Sequence, residues 1–166
     1  MCGIYGYIGK EMLFDQDRID TLIAHRGPDD RGNLAWGNVN LIHRRLAIQD
    51  LSPHGHQPMI SADGRYVIIF NGEIYNHREL RIALSELYHF KSQSDTETLL
   101  YGFAAWGEQI FNKLNGIFAL AILDKQTGIL TIARDHFGVK PLYYYHSEGK
   151  FVFSSELKAV SGTEGI

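Results

Sequence analysis

Short strand-like runs that are apolar on both faces, together with helices that come in groups, constrain the fold of this chain most. The run at residues 65–70, Arg-Tyr-Val-Ile-Ile-Phe, is almost wholly apolar, which is typical of a strand buried on both faces. Helices alternating with such strands would indicate a parallel sheet, but here the helices cluster. The pattern therefore predicts an α+β fold, a four-layer αββα sandwich of two mainly antiparallel sheets with helices outside.

The predicted elements follow one another along the chain. Strands are predicted at residues 3–9, 32–36, 39–46, 65–70, 116–123, 129–133, 142–146 and 151–154, and helices at 17–24 and from residues 76 and 94 onward. The turns at 37–38, 126–128 and 148–149 contain glycine and suit antiparallel hairpins. Residues 76–79 and 94–97 have the capping-box spacing that marks a helix start.

Composition excludes several classes of protein. The net charge of −3 argues against nucleic acid or an anionic membrane surface as the main partner. A single cysteine rules out an internal disulfide framework and favours a reducing cytoplasm. No apolar run approaches the roughly 18–20 residues that span a bilayer. His54 and His56 are close in sequence but lack a third ligand at useful spacing, so no metal site is expected.

The sole cysteine, Cys2, follows the initiating methionine directly. If Met1 is removed, one residue carries both a thiol with a pKa near ~8.5 and an α-amine with a pKa near ~7.7–8.0. Nucleophile and base would then share a residue, as in enzymes that use an N-terminal threonine. The alternative is that a cysteine at the second position has no chemical role.

Three other positions could carry chemistry. Arg45 follows an apolar run and could hold a carboxylate through two parallel hydrogen bonds, or it could simply lie on the surface. Asn71-Gly72 follows the 65–70 strand and could form a hairpin turn or an oxyanion hole. Asp95 lies in the first turn of a predicted helix, where a carboxylate is favourable for structural reasons alone, although it could also bind an ammonium group.

Motifs along nearly the whole chain resemble one family. They include Met-Cys-Gly-Ile at the start, His-Arg-Gly-Pro-Asp at 25–29 and Asn-Gly-Glu-Ile-Tyr-Asn at 71–76. The others lie at residues 43–48, 50–52, 55–59, 94–97, 133–135, 138–144 and 153–158. The chain resembles the glutaminase domain of asparagine synthetases, a class II glutamine amidotransferase with the N-terminal-nucleophile hydrolase fold. His136 departs from the arginine more common there.

The resemblance implies roles for particular residues. Cys2 would attack the side-chain amide of L-glutamine and form a glutamyl thioester, while Asn71 and Gly72 would form the oxyanion hole. Other residues would bind the amino-acid end of the substrate: Arg45, Ala47, Ile48, Gln49, Glu73 and Asp95. Among these, Arg45 and the backbone of residues 47–49 would hold the α-carboxylate, and the two acidic side chains would hold the α-ammonium.

The resemblance also implies a domain organisation. Residues 1–160 would form the amidotransferase domain, and residues 161–166 a tail or the start of a linker to a C-terminal ATP-pyrophosphatase-type synthetase domain. That domain would use ATP and Mg²⁺, whereas this one needs no cofactor, and a homodimer is possible. Two alternatives remain: the glutaminase part of an amidotransferase for sugar or antibiotic biosynthesis, and a non-catalytic regulatory domain with the same fold.

Overall fold

The computed structural model describes residues 1–11, 14–147 and 149–166. In those residues the strands are β1 (Gly3–Gly9), β2 (Asp30–Trp36), β3 (Val39–Arg45), β4 (Met59–Ile60), β5 (Tyr66–Ile74), β6 (Gly116–Asp124), β7 (Ile129–Arg134), β8 (Tyr143–Ser147) and β9 (Lys150–Ser154). The helices are α1 (Gln16–Ile23), α2 (His77–Leu84), α3 (Asp95–Trp106) and α4 (Leu157–Ser161). Short 3₁₀ turns occupy Ala24–Arg26, Pro53–Gly55 and Gly107–Lys113.

The strands form two sheets. The first has the order β2-β3-β1-β9-β8 and the second the order β4-β5-β6-β7. Every strand pair in both sheets is antiparallel. The predicted hairpins β2-β3 and β6-β7 are confirmed. The β8-β9 hairpin is also present, although its predicted turn lies partly outside the described residues because it includes Glu148.

An apolar layer between the sheets forms the centre of the molecule. Ile4 and Leu41 from the first sheet pack there against Ile69 and Ala121 from the second, and all four are fully buried. On the other face of β5, Ile68 belongs to a separate cluster with the helices of the second sheet. The β5 strand is therefore buried on both faces, as the apolar run at residues 65–70 predicted.

Helices cover the outer face of each sheet. Ile19 and Ile23 of α1 and Val160 of α4 pack on the first sheet. Leu80 of α2 and Leu99 of α3 pack on the second. The four layers confirm the predicted αββα sandwich. The five-residue helix α4 was not predicted, because so short a segment shows no helical periodicity in sequence.

The two predicted capping boxes form incompletely. Ser94 accepts a hydrogen bond from the Glu97 N–H at 3.4 Å, as predicted, but the Glu97 carboxylate binds backbone N–H groups of the preceding loop instead. The Asn76 side chain makes no capping bond. It donates to the Lys113 carbonyl at 2.9 Å and accepts from the Asn115 N–H at 2.9 Å. A long-range contact has replaced the local one that the spacing suggested.

The prediction that the fourth strand ends at Phe70 is wrong, and so is the hairpin alternative for Asn71-Gly72. β5 continues to Ile74, with Asn71 opposite Ala119 and Gly72 opposite Phe118. The strand continues because β6 is long enough to pair with all of it. A side chain at Gly72 would meet the Ile117 carbonyl at 2.4 Å, so only glycine fits beside the backbone of β6.

The C-terminal residues pack on the first sheet. Thr163 is 2% exposed, and its hydroxyl lies 2.9 Å from the Tyr5 hydroxyl. Lys150 donates to the Glu164 carbonyl at 2.7 Å. The boundary at residue 160 stays a prediction, although the packed core extends at least to Thr163.

Candidate active site

Cys2 lies directly before β1, beside the end of β3. Its Sγ accepts a hydrogen bond from the Leu46 N–H at 3.5 Å and lies 3.8 Å from the Leu46 carbonyl. The antiparallel pairing of β1 with β3 produces this contact, since Gly3 is opposite Arg44 in the register. A backbone N–H directed at sulfur favours the thiolate over the thiol.

The electrostatic surroundings of Cys2 have opposing effects. Burial raises the pKa of the Cys2 thiol, while the Leu46 N–H, the α-amine and the Arg45 guanidinium lower it. With Met1 in place, that amine belongs to Met1, one residue from the thiol. The Met1 sulfur lies 3.9 Å from an Arg26 nitrogen. Removal of Met1 would place the amine on Cys2 itself.

The Cys2 backbone is held by a contact that sequence reasoning missed. Arg26 Nε donates to the Cys2 carbonyl at 2.9 Å. The same guanidinium donates to Glu156 Oε1 at 2.8 Å, and His25 Nε2 lies 3.2 Å from that oxygen. Both Arg26 and Glu156 fall within motifs that carried the resemblance, but nothing in their spacing indicates that they meet.

Arg45 is the last residue of β3 and is only 7% exposed, so the surface alternative is wrong. Its guanidinium donates to the backbone carbonyls of Gln49, Asp50 and Ser52. Arg45 therefore organises the loop at residues 46–52 in addition to facing the cavity. Gly55 packs directly under the guanidinium, where a Cβ would come within 2.0 Å of Nη2.

The side chain of Asn71 faces the same cavity from β5. Asn71 is 1% exposed, and among the described residues its Nδ2 has no hydrogen-bond partner. Nearly all buried polar groups in proteins are paired, so an unpaired amide donor in a cavity indicates a functional role. Its neighbour Gly72 lines the cavity as well.

The residue before Asn71 is fixed by two side chains that sequence reasoning also missed. The Phe70 N–H donates to Gln57 Oε1 at 2.7 Å, and the Phe70 carbonyl lies 3.1 Å from His43 Nε2. Burial lowers the pKa of His43 to about 4, so the ring is neutral at pH 7 and can donate from Nε2. The inward alternation of 39, 41, 43 and 45 along β3 could have indicated that His43 faces the second sheet.

Two carboxylates complete the cavity. Asp95 is 5% exposed, and its Oδ2 accepts the Ile74 N–H at 2.9 Å. Burial and the Glu73 carboxylate raise the pKa of Asp95 to about 6, against the opposing effect of backbone N–H groups. Glu73 is exposed and accepts from Gln49 Nε2 at 3.5 Å. An acidic pair of this kind favours a cationic ligand group.

Most residues predicted from the sequence line one cavity: Cys2, Arg45, Ile48, Gln49, Asn71, Gly72, Glu73 and Asp95. Lys140, for which no role was predicted, lines it too. Ala47 is not among the lining residues, and its N–H donates to Asp29 Oδ2 at 2.8 Å. The sheet packing has thus gathered residues from across the chain, while the role of each remains a prediction.

The described part of the chain has neither a metal-binding cluster nor a membrane-spanning helix. Within residues 1–11, 14–147 and 149–166, no three His, Cys, Asp or Glu side chains come close enough together to hold a metal ion. None of the described helices combines the length and the apolar character that a bilayer crossing requires.

Comparison with known proteins identifies the family. The glutamine amidotransferase domain family matches residues 1–166. The chain belongs to this family. It is 41% identical over 170 residues to asparagine synthetase [glutamine-hydrolyzing] 3 of Bacillus subtilis, covering 96% of this chain and 27% of the relative. It is 36% identical over 166 residues to asparagine synthetase B of Escherichia coli, covering 96% of this chain and 30% of that protein.

The match to both relatives spans about a third of their length or less. It confirms the resemblance to the glutaminase part of asparagine synthetases that the motifs indicated. Among solved structures, glutamine phosphoribosylpyrophosphate amidotransferase of B. subtilis aligns with a TM-score of 0.79 at 22% identity, over 98% of this chain and 44% of that one. At that identity the alignment shows the shared fold alone.

The packing of Arg45 on Gly55 leads to a prediction. Gly55→Ala should push the guanidinium out of its position, because a Cβ would overlap Nη2. Charge-assisted hydrogen bonds are worth about 1.5–3 kcal/mol, so a displaced Arg45 that loses one of its bonds to the loop carbonyls should lower the free energy of unfolding by about that amount. Urea unfolding measures this, with Arg45→Ala as the reference for the loss of all these bonds. A Gly55→Ala variant with the original free energy of unfolding would contradict the role of this contact.

Proposed function

We propose that this domain hydrolyses the side-chain amide of L-glutamine to glutamate and ammonia, and that the ammonia passes to an asparagine-synthetase-type, ATP-dependent module. The observation that carries the proposal is that a thiol, an arginine, two carboxylates and a buried amide with no partner among the described residues meet in one cavity. The matched relatives are glutamine-hydrolysing asparagine synthetases, which favours that acceptor over those of sugar or antibiotic pathways.

The reaction would begin at Cys2. Its sulfur would attack the side-chain amide carbon of glutamine, and the α-amine exposed by removal of Met1 would take the thiol proton and deliver it to the leaving nitrogen. Ammonia would leave as the glutamyl thioester forms. Water would then attack the thioester, releasing glutamate and restoring the thiol. A reducing cytoplasm suits this chemistry, because the thiol must stay free.

The amide carbonyl oxygen of the substrate gains negative charge in both steps. Asn71 Nδ2 has no partner among the described residues, so it can donate to that oxygen without breaking an existing bond. The backbone N–H of Gly72 would be the second donor. Donors that are already oriented are most effective where charge develops only in the transition state.

The other end of glutamine is a zwitterion, which needs opposite charges at fixed places. Arg45 would hold the α-carboxylate, and its bonds to the backbone of the 46–52 loop keep the guanidinium in place. Asp95 and Glu73 would hold the α-ammonium. Binding an ammonium group would also stabilise the charged form of Asp95, which burial disfavours.

The direct test combines intact mass with ammonia release from L-glutamine on one preparation. We expect loss of Met1 and steady ammonia production, and Cys2→Ala should abolish turnover without unfolding the protein. Turnover in a folded Cys2→Ala variant would overturn the assignment of the nucleophile. Loss of Met1 without ammonia release would favour the non-catalytic regulatory domain instead.

The Asn71 amide, which has no partner among the described residues, predicts a large effect on rate and a small effect on stability. Asn71→Ala should lower kcat by roughly 10²–10³ if the amide is an oxyanion donor. The free energy of unfolding should change by less than about 1 kcal/mol, because the lost donor has no partner among the described residues. Kinetics and urea unfolding of the same protein measure the two effects. A kcat reduced less than threefold would contradict the oxyanion role.

The elevated pKa of Asp95 predicts an acid limb in the pH profile. Because this pKa is raised to about 6, the carboxyl becomes neutral as the pH falls through 6 and loses its attraction for the ammonium group. The value of kcat/KM, which reports the free enzyme, should then fall about tenfold more steeply per pH unit below 6 than just above it, where only the Cys2 α-amine titrates. Asp95→Asn should have a low kcat/KM that lacks this change of slope at pH 6. A profile of the unmodified protein without that change of slope would contradict this role.

A further inference from the structure

We propose that Glu156 is a positioning residue for the nucleophile, acting through Arg26 on the backbone of Cys2. The inference rests on the proposed function, since it concerns the same thiol. Glu156 lies just before α4, far from Cys2 in sequence and outside the cavity that the substrate would occupy. Its effect would therefore be on where the sulfur lies and not on the reacting atoms.

The chain of contacts is continuous. Glu156 Oε1 accepts from Arg26 Nη1 at 2.8 Å, and Arg26 Nε donates to the Cys2 carbonyl at 2.9 Å. The Arg26 side chain is only 8% exposed and that of Glu156 is 24% exposed. A carboxylate and a guanidinium that are largely removed from water hold each other in a narrow range of positions.

Residues 154–156, which include Glu156, also hold the backbone of Ile4. The Ile4 N–H donates to Ser155 Oγ at 3.1 Å, while the Ile4 carbonyl accepts from Ser154 Oγ at 2.8 Å and from the Ser155 N–H at 2.9 Å. Both serines are fully buried or nearly so. The Glu156 N–H in turn donates to Ser154 Oγ at 3.2 Å. Residues 154–156 thus fix the backbone on both sides of Gly3.

Position is critical at this point of the chain. Cys2 precedes the first strand, so β-ladder hydrogen bonds do not constrain it as they constrain Tyr5 or Tyr7. The only polar contacts of Cys2 in the described part of the chain are those with Leu46 and Arg26. Loss of the Glu156 carboxylate would leave the Arg26 guanidinium free to turn away from the Cys2 carbonyl. A displacement of about 1 Å at a nucleophile can lower a rate about 10²-fold.

His25 contacts the same Glu156 oxygen and serves to separate the two possible roles of the carboxylate. Its side chain is 53% exposed, and among the described residues it makes no contact with Cys2. If Glu156 acted only by stabilising the protein surface through its contact with His25, removing His25 and neutralising Glu156 would have similar effects on kcat. If it acts through Arg26, only the second change should matter.

The experiment compares three single variants of the full chain. Glu156→Gln keeps the size of the side chain and removes its charge. His25→Ala is the first control, and Asp124→Asn is the second, because Arg65 and Asp124 form an ion pair of 2.7 Å that is remote from the cavity. For each protein, kcat, KM, urea unfolding and the alkylation rate of Cys2 by iodoacetamide are measured. Cys2 is the sole cysteine, so the alkylation signal has one source.

We expect Glu156→Gln to lower kcat about tenfold or more with KM changed less than about twofold, and to change the alkylation rate of Cys2. Both controls should keep the original kcat and alkylation rate. In an Arg26→Lys background, the effect of Glu156→Gln should largely vanish, because coupled residues are not additive. Non-additivity in kcat and in the alkylation rate of Cys2, at an unchanged KM, is the readout that a merely structural ion pair would not give.

A kcat and an alkylation rate in Glu156→Gln that match those of Asp124→Asn would overturn the inference. So would full additivity with Arg26→Lys. Absence of ammonia release from the unmodified protein would count against the proposed function and not against this inference, because the alkylation rates can still be compared. The two failures are therefore distinguishable.

Discussion

The apolar layer between the two sheets is the constraint on which the candidate active site depends. Ile4, Leu41 and Phe153 from one sheet pack against Ile69 and Ala121 from the other, and every one of them is fully buried. This packing holds β1 and β3 against β5, which brings the start of the first strand to the end of the fifth. The thiol comes from one sheet and the amide from the other, so neither sheet alone contains the site.

Polar groups replace apolar ones where this layer reaches the cavity, and two of them are held in unfavourable states. The Asn71 amide nitrogen is buried without a partner in the described residues, and the Asp95 carboxyl has a pKa raised to about 6. Each would be more stable in water. Such features cluster at functional sites because a group left unpaired by the protein is free to bind a substrate.

For this family, the fold alone does not identify the proposed acceptor of the ammonia. The chain shares its fold with a phosphoribosylpyrophosphate amidotransferase at 22% identity, and it is 41% identical over 170 residues to an asparagine synthetase. One architecture thus occurs in proteins named for different products, and the function must be argued from the site. In the proposed reaction the ammonia would be used by residues outside this domain, and the relatives do extend well beyond the matched part.

The sequence alone determined most of the elements, the sandwich and, through the family resemblance, the identity of most cavity residues. Apolar periodicity and local motifs involve positions that are neighbours in the chain. The sequence misjudged the end of β5, since only pairing with β6 carries that strand through Asn71 and Gly72. The sequence did not indicate that Arg26 and Glu156 form an ion pair, or that His43 and Gln57 contact the backbone of Phe70. Those contacts join residues far apart in sequence, and only the packing of the two sheets brings them together.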